Sequence, residues 1–169
     1  IVIEVKCDAT VWMENGRRLH IHSWEERKWR HLNFWQYETI LVARVPRVEQ
    51  PFTGSTQIVQ VPWAEKFSRF TKAFEAFAIE VLQCTKTLQD ASKLLNMNWH
   101  ALQTIMTRAV ERGVSRREAS PIEYIGIDEK SFLRGQNYIT LITDIEGKRV
   151  LDVRAGADKA TAKALITDT

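Results

Sequence analysis

The chain has 169 residues, 44% apolar and 27% charged, an ordinary globular composition that excludes a disordered tail, a collagen or a coiled coil as the overall reading. Its formal net charge of +3 is unevenly spread: residues 1–118 carry 17 Lys+Arg against 13 Asp+Glu, and residues 119–169 carry 7 against 8. That division fits a nucleic-acid binder joined to a carboxylate-bearing part, although ordinary surface scatter also produces it.

Residues 1–63 are rich in β-branched and aromatic residues, are punctuated by Pro46, Pro51, Gly54 and Pro62, and hold five of the six tryptophans. Alternation over Arg18–His22 and Ile40–Val45 predicts short strands, and Phe52–Thr56 a turn between two more. From residue 64 the period becomes helical. Phe70, Phe74, Phe77, Ala78, Val81 and Leu82 form one apolar stripe, with Cys84 on it as a small core residue. A second helix fits Thr87–Leu95, with Thr87 as N-cap and Asp90 completing a capping-box arrangement. A third fits Trp99–Arg112, opened by Asn98 and closed by Gly113.

Only Asn96-Met97-Asn98 joins these two helices. Ala91, Leu94 and Leu95 are expected to meet Leu102, Ile105, Met106 and Ala109 across the joint. Such a pair is either a plain helical hairpin or a helix-turn-helix. In the second case the third helix enters the DNA major groove and presents Trp99, His100, Gln103, Thr104 and Thr107. Arg108, Arg112, Arg116 and Arg117 follow and suit phosphate contacts.

Residues 119–169 read as three strands and a helix: Glu123–Glu129, Tyr138–Asp144, a turn over Ile145–Lys148, Val150–Arg154, then a helix capped by Asp158. Asp128 is the carboxylate of most interest. At the end of an apolar strand it either serves a turn or projects beside a sheet to bind a hard cation such as Mg²⁺. Asp144 reads as turn chemistry.

Metal sites elsewhere are poorly supplied. His20 and His22 share one face of a strand and His31 is near, but no Cys-x-x-Cys accompanies them, and Cys7 and Cys84 are far apart. Signatures of a Ser/His/Asp nucleophile, a phosphate loop or a dinucleotide site are lacking. Within Ser23–Leu32, Trp24 and Trp29 are expected in the core, with Arg27, Lys28 and Arg30 as surface contacts to DNA. No apolar run reaches the ~20 residues of a membrane helix, and no signal-peptide pattern opens the chain. With two cysteines, a reducing cytoplasm is the expected compartment.

Three motif groups, in order, carry a resemblance to the ISL-three type of bacterial insertion-sequence transposases. Arg17-Arg18-Leu19-His20 through Trp29-Arg30-His31-Leu32, with Ala43–Val48, resembles the family's N-terminal zinc-binding module. Val61-Pro62-Trp63-Ala64, Arg69-Phe70-Thr71 and Phe74-Glu75 resemble the entry to its helix-turn-helix, and Tyr124–Phe132 the first strand of its catalytic domain. The resemblance implies an α+β, multi-module chain. Residues 1–63 are a zinc-ribbon-like β module, residues 64–118 a helix-turn-helix region, and residues 119–169 the start of an RNase H-like α/β domain with a DDE site. It also implies binding to double-stranded DNA at terminal inverted repeats, Mg²⁺-dependent cleavage and strand transfer, and a nucleoid-associated cytoplasmic protein. Homo-oligomerisation is left open, and no membrane partner is implied.

Two departures from the family pattern set further expectations. The family's two zinc knuckles fall here on Trp12–Gly16 and Gln50–Gly54, which offer neither thiolate nor imidazole, so zinc is not expected. Asp128 matches the first catalytic Asp, whereas the second Asp and the Glu match no position of this sequence. One carboxylate cannot hold two Mg²⁺ ions, so this polypeptide is not expected to catalyse transposition alone. A stand-alone DNA-binding regulator and a non-functional truncated product remain as alternatives.

Overall fold

A computed structural model describes residues 1–7, 12–14, 16–50, 53–117, 121–133 and 137–168. Two long antiparallel strands, β4 (Ile21–Phe34) and β5 (Tyr37–Glu49), organise the first half. The far edge of β5 takes β1 (Val2–Val5) in parallel and β6 (Thr56–Ile58) in antiparallel pairing. A separate short hairpin is made by β2 (Trp12–Glu14) and β3 (Arg17–Leu19). The expected strand at 40–45 is part of the longer β5, whereas the one expected at 18–22 is corrected: it is divided at His20 between β3 and the start of β4. The basic and aromatic stretch Ser23–Leu32 is itself the body of β4. Asn15 of the first knuckle position, and Pro51 and Phe52 of the second, lie outside the described residues.

The β core contains Leu19, Trp29, Ala43, Val45, Val48, Val59 and Ala64. Trp29 packs edge-on against Trp63, with ring centroids 5.7 Å apart and planes at 88°, a favoured arrangement of the ring quadrupoles. Trp24 is half-buried, its ring 5.8 Å from the Arg44 guanidinium.

The helices are α1 (Lys72–Cys84), α2 (Leu88–Leu94) and α3 (Trp99–Ser115). Each begins at a side-chain cap: Thr71 accepts from the Phe74 N–H, Thr87 from that of Asp90, and Asn98 from that of His100. Their shared core is Phe74, Ala78, Ala91, Leu95, Leu102 and Ile105. Three sequence expectations are corrected. Gly113 does not close α3, because its φ is not positive and the helix runs on to an Arg116 cap. Cys84 is exposed rather than in the core, since it is the last residue of α1 and lies outside the helical core cluster. Phe77, Leu94 and Met106 are likewise exposed, so the buried stripe is narrower than the apolar spacing suggests.

Residues 1–116 form one compact unit and residues 117–169 a second. The segments 1–63 and 64–118 thus share one unit almost entirely, each with its own apolar cluster. In the second unit, β7 (Ile125–Leu133), β8 (Asn137–Asp144) and β9 (Arg149–Ala155) pair antiparallel in chain order. Helix α4 (Lys159–Asp168) packs on β8 and β9, its Leu165 buried. Asp158 caps it by accepting from the Thr161 N–H at 2.7 Å.

The β8–β9 turn is built around Asp144. Its carboxylate accepts from the Gly147 N–H at 2.8 Å and from Arg149 Nε at 3.0 Å, and these groups hold its pKa below the ordinary 3.8. A folded value below the unfolded one gives stability that is present above the ordinary carboxylate range and lost as pH falls through the lowered value. Asp144→Asn should therefore destabilise the second unit at neutral pH and flatten its acid dependence, measured by urea melts at stepped pH.

Candidate nucleic-acid interface

The joint between α2 and α3 is tight. Leu95 caps α2, and Asn96 takes the left-handed conformation (φ 47°) that Asn tolerates better than most residues. The Met97 N–H donates to the Ser92 carbonyl at 3.0 Å, and the Ser92 hydroxyl donates to the Met97 carbonyl at 2.6 Å. Ala91 and Leu95 are buried with Leu102 and Ile105, which turns the opposite side of α3 outward. Trp99, His100, Gln103, Thr104 and Thr107 are all exposed on that side, at three- and four-residue spacing. The Trp99 and His100 rings lie 3.5 Å apart, centroid to centroid. The Thr104 hydroxyl is taken up by the His100 carbonyl at 2.9 Å.

The seven cations selected from the sequence divide into distinct roles. Arg108 and Arg112, one turn apart, both approach the Glu75 carboxylate of α1, at 3.8 and 4.0 Å. Glu75 is only 3% exposed and also accepts from the Ser68 hydroxyl at 2.7 Å. Arg116 is exposed at the end of α3. Arg117 belongs to the second unit and donates to the carbonyls of Leu151 and Val150, at 2.7 and 2.8 Å. On β4, Lys28 is exposed and 3.3 Å from Glu26, and Arg27 is half-buried 4.0 Å from Glu25.

Arg30 corrects the expectation of a surface contact. Its side chain is 12% exposed, pairs with Glu38 at 3.1 Å and donates to the Asn96 carbonyl at 3.0 Å. It is a joint between the β sheet and the helices. Sequence reasoning missed Glu75 and Glu38, the partners that draw these arginines inward. The signal for Glu75 was present: a carboxylate directly after Phe74 on the apolar stripe, with two arginines four residues apart on another helix.

Asp128 lies within β7, not at a strand end, because pairing continues to Leu133. It is exposed and registers with Leu141, on the face opposite the buried Thr140, Ile142 and Asp144. Gly126, two residues before it, is held by close approach: a Cβ there would sit 2.8 Å from Thr143 Oγ1. Asp144, committed to its turn, is not a partner for Asp128. Among the described residues no group of three or more His, Cys, Asp or Glu converges on a point that could hold a metal ion. His20 and His22 are exposed, and His31 Nδ1 is 2.8 Å from Thr71 Oγ1. These donors do not fit a closed tetrahedral zinc site, and Asp128 by itself does not fit a two-metal one.

Three family models match the chain in order. They are a zinc-finger of transposase IS204/IS1001/IS1096/IS1165 over residues 15–49, a helix-turn-helix domain of transposase family ISL3 over residues 59–110, and a transposase domain of that family over residues 125–169. The chain belongs to the ISL3 family of transposases. Among its relatives is the transposase for insertion sequence element IS1557 of Mycobacterium tuberculosis, 31% identical over 95% of this chain and 37% of the relative. Another is the transposase for insertion sequence element IS1001 of Bordetella parapertussis, 24% identical over 88% of this chain and 36% of the relative. The chain thus spans little more than a third of the length of these ISL3 relatives. No solved structure matches it. Among the described residues no helix is long and apolar enough to cross a membrane.

The Glu75 cluster sets a stability test for this ISL3 chain. Replacing Glu75 by Ala takes the shorter of two acceptors from the Ser68 hydroxyl and the facing carboxylate from two guanidinium groups, which should destabilise the first unit by about 2 kcal/mol in urea unfolding. Glu75→Gln, which keeps one acceptor for Ser68, should cost less.

Proposed function

We propose that this chain is the DNA-binding and partial catalytic region of an insertion-sequence transposase, with terminal inverted repeats as its double-stranded DNA target. The observation that carries the reading is the exposed polar face of α3, set at the N-terminal end of the second helix of a tightly joined pair. In that docking geometry Trp99, His100, Gln103, Thr104 and Thr107 lie against base edges. Arg116, with Lys28 and Arg27 on β4, supplies phosphate contacts, whereas Arg108 and Arg112 hold α3 against α1 through Glu75.

In this reading residues 117–169 are the opening of an RNase H-like domain, supported by three antiparallel strands followed by a helix on one face. A divalent cation such as Mg²⁺, implied by the transposase match, would supply the activation of the attacking oxygen. Asp128 is the residue of this chain suited to hold it, and no step is assigned to the chain by itself.

The β module is read as zinc-free. Its match to a zinc-finger model covers strands and turns, while the matched stretch contains no cysteine at all. The Trp29–Trp63 core does the work of a metal in tying the strands together.

Two measurements test these assignments. In gel shifts on the inverted repeats flanking its own coding region, Gln103→Ala should lose discrimination between repeat and unrelated duplex. Arg116→Ala should weaken binding to both about equally and lower the salt slope by about one. An Arg116→Ala slope equal to that of the wild type removes that residue from the phosphate contacts. Dialysis against a strong chelator should leave the melting curve unchanged. A stoichiometric zinc signal whose removal unfolds the β module refutes the zinc-free reading.

A further inference from the structure

The tip of the β4–β5 hairpin is the most exposed aromatic feature of the first unit. Trp35 is 80% exposed, Phe34 57% and Tyr37 54%. Phe34 and Trp35 stack, ring centroids 5.3 Å apart and planes at 21°. Trp35 also has φ 55°, a left-handed conformation that two-residue hairpin turns normally give to Asn, Asp or Gly. A large apolar ring is thus held both in water and in an unfavourable backbone state. The combination serves neither packing nor turn formation, and it points to a contact made elsewhere.

The tip is also held firmly in place. The Phe34 N–H donates to Thr39 Oγ1, a buried hydroxyl, at 3.1 Å, and Phe34 pairs with Tyr37 across the turn. Glu38, the next residue along, accepts from the Asn96 side-chain amide at 2.8 Å, and Arg30 bridges Glu38 and the Asn96 carbonyl. Asn96 opens the turn of the helix-turn-helix, and two residues later Asn98 caps α3. The aromatic tip is therefore fixed next to the end of α3 that enters the groove in this docking geometry.

We propose that the Phe34–Trp35 tip is a wedge that inserts into DNA next to the segment read by α3 and unstacks one base step. The occupant is duplex DNA because the strand that carries the tip is bonded, through Glu38 and Arg30, to the turn that leads into α3. Its flanks, Asn33 and Gln36, are exposed hydrogen-bonding side chains suited to base edges and sugars, and the unit that carries it has 16 Lys+Arg against 12 Asp+Glu over residues 1–116. Apolar side chains that part a base step gain from stacking on the separated bases and from the wider contact a kinked duplex allows. The inference rests on the proposed binding of DNA by α3.

The test uses the 169-residue chain with Trp35→Ala and Trp35→Phe, on inverted-repeat duplexes that differ in the position of a single mismatched pair. A mismatch lowers the work of unstacking, so the wild type should favour one position by about tenfold over the fully paired duplex. Thymines at that step of the paired duplex should become reactive to permanganate. Trp35→Ala should lose the preference and the reactivity, while its salt slope, set by the phosphate contacts, stays that of the wild type. Trp35→Phe should retain both signals. Because Trp35 is so exposed, melting curves of the three proteins should coincide. Paired-duplex binding with no positional preference, or a preference that Trp35→Ala keeps, overturns the wedge and leaves DNA binding by α3 standing. No duplex binding by the wild type overturns both. Self-association that Trp35→Ala abolishes, without permanganate reactivity in the wild type, assigns the tip to a protein contact and overturns the wedge.

Discussion

Arg30 is the residue through which the first unit is held together. Its backbone N–H donates to the Arg69 carbonyl and its carbonyl accepts from the Thr71 N–H, both at 2.9 Å, so the chain entering α1 pairs with the free edge of β4. Its guanidinium reaches the Asn96 carbonyl and the Glu38 carboxylate and lies 4.9 Å from the centroid of the Phe74 ring. One side chain thus touches the hairpin, the first helix and the helix-turn-helix joint. A lysine could place a charge there but could not direct several planar donors at two acceptors while lying over an aromatic face. The strand edge that would otherwise invite pairing with another chain is partly covered in the same stroke.

In the zinc-free reading, the β module keeps the geometry of a ribbon while drawing its cohesion from another source. Gly16 and Gly54, each the last residue of a knuckle position, have φ of 77° and 63°, and no neighbour lies within 4 Å of where a Cβ would stand. They are there for conformation, since left-handed backbone costs little only for glycine. Around those turns the donors are replaced by Trp12, which packs on the β core, and by Gln50, whose N–H donates to the Ser55 carbonyl at 2.8 Å. Apolar burial between Trp29, Trp63 and the β5 valines then holds the strands in register.

Much of this was legible in the sequence because it depends on local rules. The helix starts at Thr87 and Asn98, the turn at Asn96–Asn98, the three strands after residue 124 and the Asp144 turn all follow from capping, periodicity and turn chemistry. What was not legible depends on partners distant in sequence. Arg30 has a surface residue's composition and an interior residue's surroundings because Glu38 and Asn96 meet it, and Asn96 is 66 positions away. Arg108 and Arg112 look like a basic helix end until Glu75 is placed under them. Gly113 resembles a stop signal, yet nothing in the chain near it demands a turn, so the helix continues. Asp128 falls within its strand because β7 has a partner along its whole length.

The pairing of Arg108 and Arg112 with a buried acid changes how α3 would work on DNA. A helix carrying four free arginines at its C-terminal end would bind any duplex through phosphate contacts and gain little discrimination. With two of them drawn toward Glu75 and Arg117 occupied by backbone carbonyls of the second unit, the unspecific attraction in the proposed docking would fall largely to Arg116 and the β4 cations. The same pairing fixes the rotation of α3 about its axis, because the two arginines one turn apart meet a single carboxylate on α1. Rotation decides which side chains face a groove. In the proposed docking, charge given up for phosphate attraction would thus be converted into the fixed presentation of Gln103 and Thr107, and specificity would depend on a buried carboxylate on another helix.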